Sequence, residues 1–262
     1  MTLNSNEKGS VWLSPEVLQW QSYGQGGKQP DISIRARAYE IWKHAEDLLR
    51  HAASDLQLVD VITTMKRAID HRIRALDKAY AFRTIPIKDK PAELLDLLEF
   101  LEIIRPLMFR KLVEIRNAVE HEDATPPHYD TCQLFLEFAW YFLRSTDRML
   151  AVISDSIQLF VLDEDDEYWL DLEYGPDKTW NPQVRGYVRS DLISTQPTAD
   201  WIVLKSTRIE TRAQIIKRLK ADGNSAWKSH EKSNLDDIFL QADVRGPQDV
   251  IVSLTKLYFS AV

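Results

Sequence analysis

A helical pattern over residues 31–154 constrains the fold of this chain more than any other feature. Apolar residues recur there at steps of three and four, which places them along one side of a helix. The first such run consists of Ile34, Ala38, Ile41, Ala45 and Leu48. Prolines interrupt the pattern where helices end or begin, at Pro86, Pro91, Pro106, Pro126 and Pro127. We therefore predict a bundle of four to five antiparallel helices over residues 31–154.

The sequence changes character on both sides of this segment. Residues 1–30 are polar and rich in glycine, and we expect a loosely structured N-terminal arm. After residue 154 the pattern shifts to a period of two over 157–162 and 168–174, which predicts a β-hairpin. Further strands are expected at 200–205 and 238–244, with a helix near 209–221 between them. The predicted fold class is α+β, a helical bundle followed by a small α+β domain of unknown role over 155–262.

Composition indicates a soluble cytoplasmic protein. The chain contains one cysteine, Cys132, so it cannot form an intramolecular disulfide, which fits a reducing compartment. Residues 1–10 lack the basic and apolar layout of a secretion signal. The richest apolar stretch, residues 134–143, is far shorter than the roughly 20 residues that a membrane span needs. We therefore expect no membrane association.

Charge is unevenly distributed along the chain. The net charge of −7 is not typical of a nucleic-acid-binding protein. Residues 66–90 and 205–220 are nevertheless basic. The first stretch supplies the candidate RNA-binding residues Lys66, Arg67, Arg72, Arg74 and Lys78. The alternative is that this stretch is simply a solvated helix face.

The chemistry of the chain is concentrated in the run Arg116-Asn117-Ala118-Val119-Glu120-His121. An imidazole takes up and releases protons near neutral pH, and a guanidinium can hold two phosphate oxygens at once. Together they suit RNA cleavage in which the ribose 2′-hydroxyl attacks the adjacent phosphorus. In an ideal helix Arg116 and His121 lie about 140° apart. We therefore expect them to converge only where the helix end unwinds or a second chain contributes.

The run resembles the motif of the HEPN superfamily, which is Arg-x4-6-His with Asn commonly after the Arg. Arg116, Asn117 and His121 match it residue by residue, and the predicted helices agree over residues 31–154. The bare spacing also matches Arg37 and His44, but no Asn follows Arg37. The resemblance implies a dimeric, metal-independent endoribonuclease without a cofactor. It also implies a toxin–antitoxin or anti-phage setting, with tRNA or mRNA as substrate and an antitoxin or regulatory protein as partner.

The resemblance assigns a role to each motif residue. His121 would be the general acid and base, Arg116 would stabilise the phosphorane, and Asn117 would orient a phosphate or the histidine. Phe109 and Val113 are predicted on the helix face opposite the core, which favours a homodimer with a two-fold seam along that face. Two alternatives stay open: a non-catalytic HEPN module that binds RNA, a nucleotide or a protein, and a DNA-binding regulator that uses the helix at 211–220.

Overall fold

The computed structural model describes residues 10–121, 124–163, 166–174, 180–228 and 237–262. Contacts divide them into two units. The helical unit comprises residues 27–84 and 90–153, and the sheet unit comprises the described residues up to Gly26 together with 85–89 and 154–262. Helices and an antiparallel sheet confirm the predicted α+β class. Within the described ranges, no helix is both long and apolar enough to cross a membrane.

Six helices of the helical unit are described. They are α1 (Ile32–Arg50), α2 (Asp55–Tyr80), α3 (Leu94–Phe100), α4 (Leu107–His121), α5 (Tyr129–Ser145) and α6 (Asp147–Ala151). Asp31 is the N-cap of α1, and its carboxylate accepts a hydrogen bond from the Ser33 amide at 2.9 Å. The N-cap of α2 is Ser54, in a capping box with Gln57.

The helices of this unit pack around α2. Helices α1 and α2 are antiparallel and joined by a short connection. As a result, Arg72 in the second half of α2 donates a hydrogen bond to the carbonyl of Arg35 near the start of α1. Helix α5 packs against both, and α4 packs against α2 and α5. The buried core of this unit includes Ala38, Ala45, Val61, Met65, Leu76, Leu112, Phe135, Ala139 and Leu143.

The described strands of the sheet unit form one antiparallel sheet. They are β1 (Val11–Leu13), β2 (Gln21–Gln25), β3 (Ser156–Asp163), β4 (Asp166–Glu173), β5 (Gln183–Arg189), β6 (Ile193–Ser194), β7 (Ile202–Thr211) and β8 (Asp237–Val244). Their order is β2-β3-β4-β5-β8-β7-β1-β6. Helix α7 (Arg212–Ala221) packs Ile215 and Leu219 on Phe239, and helix α8 (Gln248–Ala261) packs against β2 and β3.

The prediction of a loosely structured arm over residues 1–30 is wrong for its described part. Strand β1 pairs with β6 and β7, and β2 pairs with β3. Leu13 and Trp20 are buried, so the arm contributes both backbone pairing and apolar surface to the sheet unit. Residues 1–9 lie outside the described residues.

The predicted hairpin at 157–162 and 168–174 is confirmed as β3 and β4, paired from Ser156–Glu173 to Asp163–Asp166. The strand predicted at 200–205 continues as β7 to Thr211, past a bulge between Lys205 and Arg208, so the following helix begins at Arg212. Residues 85–89 belong to the sheet unit, where Ile85 and Ile87 are buried, and they interrupt the bundle predicted over 31–154.

Candidate active site

Helix α4 carries the Arg116–His121 run, and its packing differs from the predicted stripe. Phe109 was predicted on a face open to a second chain, but it is only 4% exposed. Its ring lies between Phe138 and Phe142 of α5, with centroids 4.8 and 4.7 Å away in edge-to-face geometry. The inward face of α4 therefore contains Phe109 and Leu112. Arg116, one turn after Leu112, is half-buried on the same side.

The three motif side chains lie together at the end of α4. Nη1 of Arg116 donates a hydrogen bond to Oδ1 of Asn117 at 3.1 Å. The same nitrogen lies 3.5 Å from Nε2 of His121. Because a guanidinium can only donate, this contact uses the lone pair of Nε2. One positive group thus connects the carboxamide and the imidazole.

The expectation that this convergence needs an unwound end or a second chain is wrong. Helix α4 continues through His121, and the long arginine side chain bridges the angular separation within one chain. Beyond the helix, the amide of Ala124 donates to the carbonyl of Ala118 at 3.2 Å, so the backbone folds back over the last turn.

The site is open to solvent. His121 and Asn117 are exposed, whereas Arg116 is half-buried and therefore more constrained in direction. A guanidinium beside an imidazole favours an anionic ligand over a cation. Within the described ranges, no three His, Cys, Asp or Glu side chains are grouped as a metal site. An exposed imidazole and an anion-binding group can accommodate a ligand as large as a polynucleotide.

The candidate RNA-binding residues on α2 do not share one environment. Arg72 is a correction: its side chain is fully buried and pairs with Asp147 at 3.3 Å, so it cannot contact RNA. Lys66 is half-buried and pairs with Asp70. Arg67, Arg74 and Lys78 are exposed. Of the five predicted RNA-binding residues, these three are the ones exposed enough to contact RNA.

Arg74 and Lys78 line a groove of about 520 Å³ between α1 and α2. Arg37 and Glu40 of α1 and His71 of α2 complete its charged and titratable lining. We call the groove lined by these five residues the cationic groove. The sequence reasoning missed Arg37 and His71 as members. The short connection between α1 and α2 could have predicted both residues. It makes the two helices antiparallel, so residues at equal sequence distances before and after the connection face one another.

An exposed apolar surface lies beside α4. Met108 of α4 and Leu134, Phe138 and Tyr141 of α5 are the apolar lining of a shallow cavity of about 630 Å³, whose polar lining is Asp130, Gln133 and Glu137. Leu134 is 59% and Tyr141 63% exposed. We call the four apolar residues the α4–α5 face. Exposed apolar clusters of this kind commonly mark protein–protein contacts.

Comparisons with known proteins provide no further guide to this site. No family model matches the chain, and no curated protein or solved structure matches it either.

Proposed function

We propose that this protein is a metal-independent endoribonuclease of the HEPN type, with Arg116, Asn117 and His121 as its catalytic residues. The observation that carries the proposal is the 3.5 Å contact between Nη1 of Arg116 and Nε2 of His121 at an exposed helix end. An imidazole and a guanidinium at this separation can act on the same phosphodiester.

The geometry suggests how a substrate engages the site. Nη1 of Arg116 donates to Oδ1 of Asn117 and contacts the lone pair of Nε2 of His121. A phosphate is a stronger acceptor for a guanidinium than either of these groups. Binding of RNA would therefore draw Arg116 onto two phosphate oxygens and release Nε2 to take a proton.

The proposed reaction needs only one base and one acid. His121 removes the proton of the ribose 2′-hydroxyl while the 2′-oxygen bonds to phosphorus. The bond from phosphorus to the 5′-oxygen breaks, and that oxygen receives a proton from an imidazolium. The products are a 2′,3′-cyclic phosphate and a 5′-hydroxyl, and Arg116 stabilises the charge that accumulates on the phosphorane.

The test of this function is incubation of purified protein with total RNA in the presence of EDTA, followed by mapping of the new ends. We expect cleavage with 2′,3′-cyclic phosphate and 5′-hydroxyl ends, because the nucleophile belongs to the RNA. Cleavage that needs a divalent cation, or that leaves 3′-hydroxyl ends, would contradict the proposal. RNA binding without cleavage would instead support a non-catalytic interaction module.

We further propose that the protein is a homodimer whose seam is the α4–α5 face. The buried Phe109 cannot form the seam predicted from the sequence, whereas Leu134 and Tyr141 are exposed on the neighbouring helix. Met108 of this face lies on α4, about two helical turns from Arg116. A two-fold contact here would bring two copies of the motif helix together and supply a second imidazole as the acid.

Leu134→Asp is expected to convert the dimer into a monomer and to lower RNA cleavage, because it places a charge in an apolar contact. Light scattering at micromolar concentration measures the mass. Leu56→Asp is the matched control, since Leu56 is 78% exposed on α2 and outside the face. A wild-type monomer, or a Leu134→Asp dimer, would disprove this seam.

The resemblance also supports an anti-phage or toxin–antitoxin setting, with an antitoxin or regulatory protein as a further partner. The RNA-binding surface would include Arg67, Arg74 and Lys78, which are exposed on α2.

A further inference from the structure

The cationic groove contains a histidine whose ring nitrogen lacks a partner. Nδ1 of His71 is buried and has no hydrogen-bond partner among the residues that the structure describes. Buried polar atoms are nearly always hydrogen-bonded, so an exception inside a groove indicates an atom that a ligand can satisfy. A neutral imidazole can present this nitrogen as a donor or an acceptor, and an imidazolium presents it as a donor.

The charges around His71 select the kind of ligand. Arg37 and Glu40 of α1 neutralise each other in an ion pair at 2.8 Å. Arg74 and Lys78 form no ion pair with any residue in the described part of the chain. They are four residues apart on one helix, where like charges repel and destabilise the helix slightly. A bound anion would remove this repulsion.

The local field already affects the histidine. Burial lowers the pKa of His71, and the charges of Arg74, Arg37 and Arg72 lower it further. Glu40 is the carboxylate that lines the same groove, and its charge is engaged by Arg37. The site therefore disfavours an additional positive charge on the ring until an anion enters.

We propose that the cationic groove is a phosphate-binding site, in which Arg74 and Lys78 contact the phosphate oxygens and a turn of the His71 ring brings the unpartnered Nδ1 to them. The volume of about 520 Å³ accommodates a phosphate together with the sugar that carries it. The phosphate belongs either to the RNA backbone or to a nucleotide. The RNA source rests on the proposed nuclease function, whereas the phosphate site itself does not.

The first experiment uses inorganic phosphate as the probe. The proton NMR signal of His71, assigned with His71→Gln, is titrated with pH in phosphate and in chloride of equal ionic strength. We expect the pKa of His71 to be higher in phosphate, because a bound anion stabilises the imidazolium. Arg74→Ala should raise the Kd for phosphate about tenfold, the usual worth of a charge-assisted hydrogen bond.

Arg67→Ala is the matched control, because Arg67 is also an exposed arginine of α2 but does not line the groove. It should leave the phosphate effect unchanged. An equal pKa of His71 in phosphate and chloride would overturn the proposal, as would an equal loss of affinity in Arg74→Ala and Arg67→Ala.

A second arm distinguishes the sources of the phosphate. Binding of a labelled 2′-O-methyl RNA, which cannot be cleaved through its 2′-oxygen, is followed by fluorescence anisotropy. If the phosphate is that of RNA, Arg74→Ala should weaken this binding more than Arg245→Ala, a control at an exposed arginine of the sheet unit, and should reduce the salt slope by about 0.7. Equal weakening, with the His71 response retained, would assign the groove to a nucleotide.

The two proposals fail separately. Cleavage of unmodified RNA by the same preparation tests the nuclease alone. A protein that leaves RNA intact but shifts the pKa of His71 in phosphate retains the groove site and loses the nuclease assignment.

Discussion

Replacement of His121 by alanine is expected to lower the rate of RNA cleavage by about 10²–10⁴-fold, the usual contribution of a general acid–base residue. The variant removes the imidazole of the Arg116–Asn117–His121 cluster, which is the group proposed to act as base and acid. Because His121 is exposed at the end of α4, its loss should leave the fold intact. Initial rates on a fluorescently labelled RNA, under single-turnover conditions with EDTA, provide the measurement.

His128→Ala is the matched control. His128 is another exposed histidine, and it lies directly before α5. Its replacement should leave the cleavage rate within about twofold, since surface substitutions rarely matter away from a site. Equal cleavage by wild type and His121→Ala would refute the catalytic assignment. Thermal unfolding of both variants verifies that any lost activity is chemical and not structural.

Asp147→Asn is expected to destabilise the helical unit by about 3 kcal/mol. The guanidinium of Arg72 is fully buried, and Nη1 and Nη2 each lie 3.3 Å from Oδ1 of Asp147. Burial lowers the pKa of Arg72, and the carboxylate opposes that effect. Without the carboxylate, the partners that the buried cation keeps among the described residues are the carbonyl of Arg35 and the ring of Tyr39. Neutralising one partner of such a pair leaves an uncompensated buried charge.

Urea denaturation monitored by circular dichroism measures this loss. Glu114→Gln is the control, because Glu114 pairs with Lys111 at a fully solvated site and its removal should cost less than about 1 kcal/mol. Adding Arg72→Met to Asp147→Asn should recover part of the stability, since an apolar side chain then replaces the stranded cation. If Asp147→Asn lowered the free energy of unfolding no more than Glu114→Gln does, the ion pair between Arg72 and Asp147 would contribute no more than a surface pair.

The helices were predictable from local sequence, and the position of each side chain around them was less so. Arg72 follows Ile69 by three residues and precedes Leu76 by four, which places it on the buried stripe of α2. Arg72 was predicted to be exposed because it is an arginine, and its position on the apolar face of the helix was not considered. Phe109 was misplaced for a related reason: the outward face of α4 was assigned from ideal helix angles, whereas the helix buries Phe109 together with Leu112.

The motif at the end of α4 was visible in the sequence, but its geometry was not. Spacing along an ideal helix specifies the directions of Cα–Cβ bonds, whereas the reach of an arginine spans the remaining angle. The contact between Arg116 and His121 depends on that reach and on the half-buried direction of the guanidinium. The angle between Arg116 and His121 around an ideal helix includes neither effect.

The sheet was only partly predictable, because its pairings are distant in sequence. Val11 faces Leu204, and Gln21 faces Phe160. The strand at 21–25 contains Gly24, which weakens its pattern, and β1 is three residues long. Local patterns identified β3 and β4, which follow one another closely in sequence, whereas the pairing of an N-terminal segment with distant strands leaves no local signal.

The insertion of residues 27–84 within the sequence of the sheet unit has a consequence for synthesis on the ribosome. Strand β2 can pair only after β3 is translated, and β1 only after β6 and β7, so the first strands emerge long before their neighbours exist. The helices contact one another at shorter separations and should acquire structure first. A nascent chain arrested near residue 153 would then contain an assembled helical unit and two strands whose partners in the sheet have not yet been translated.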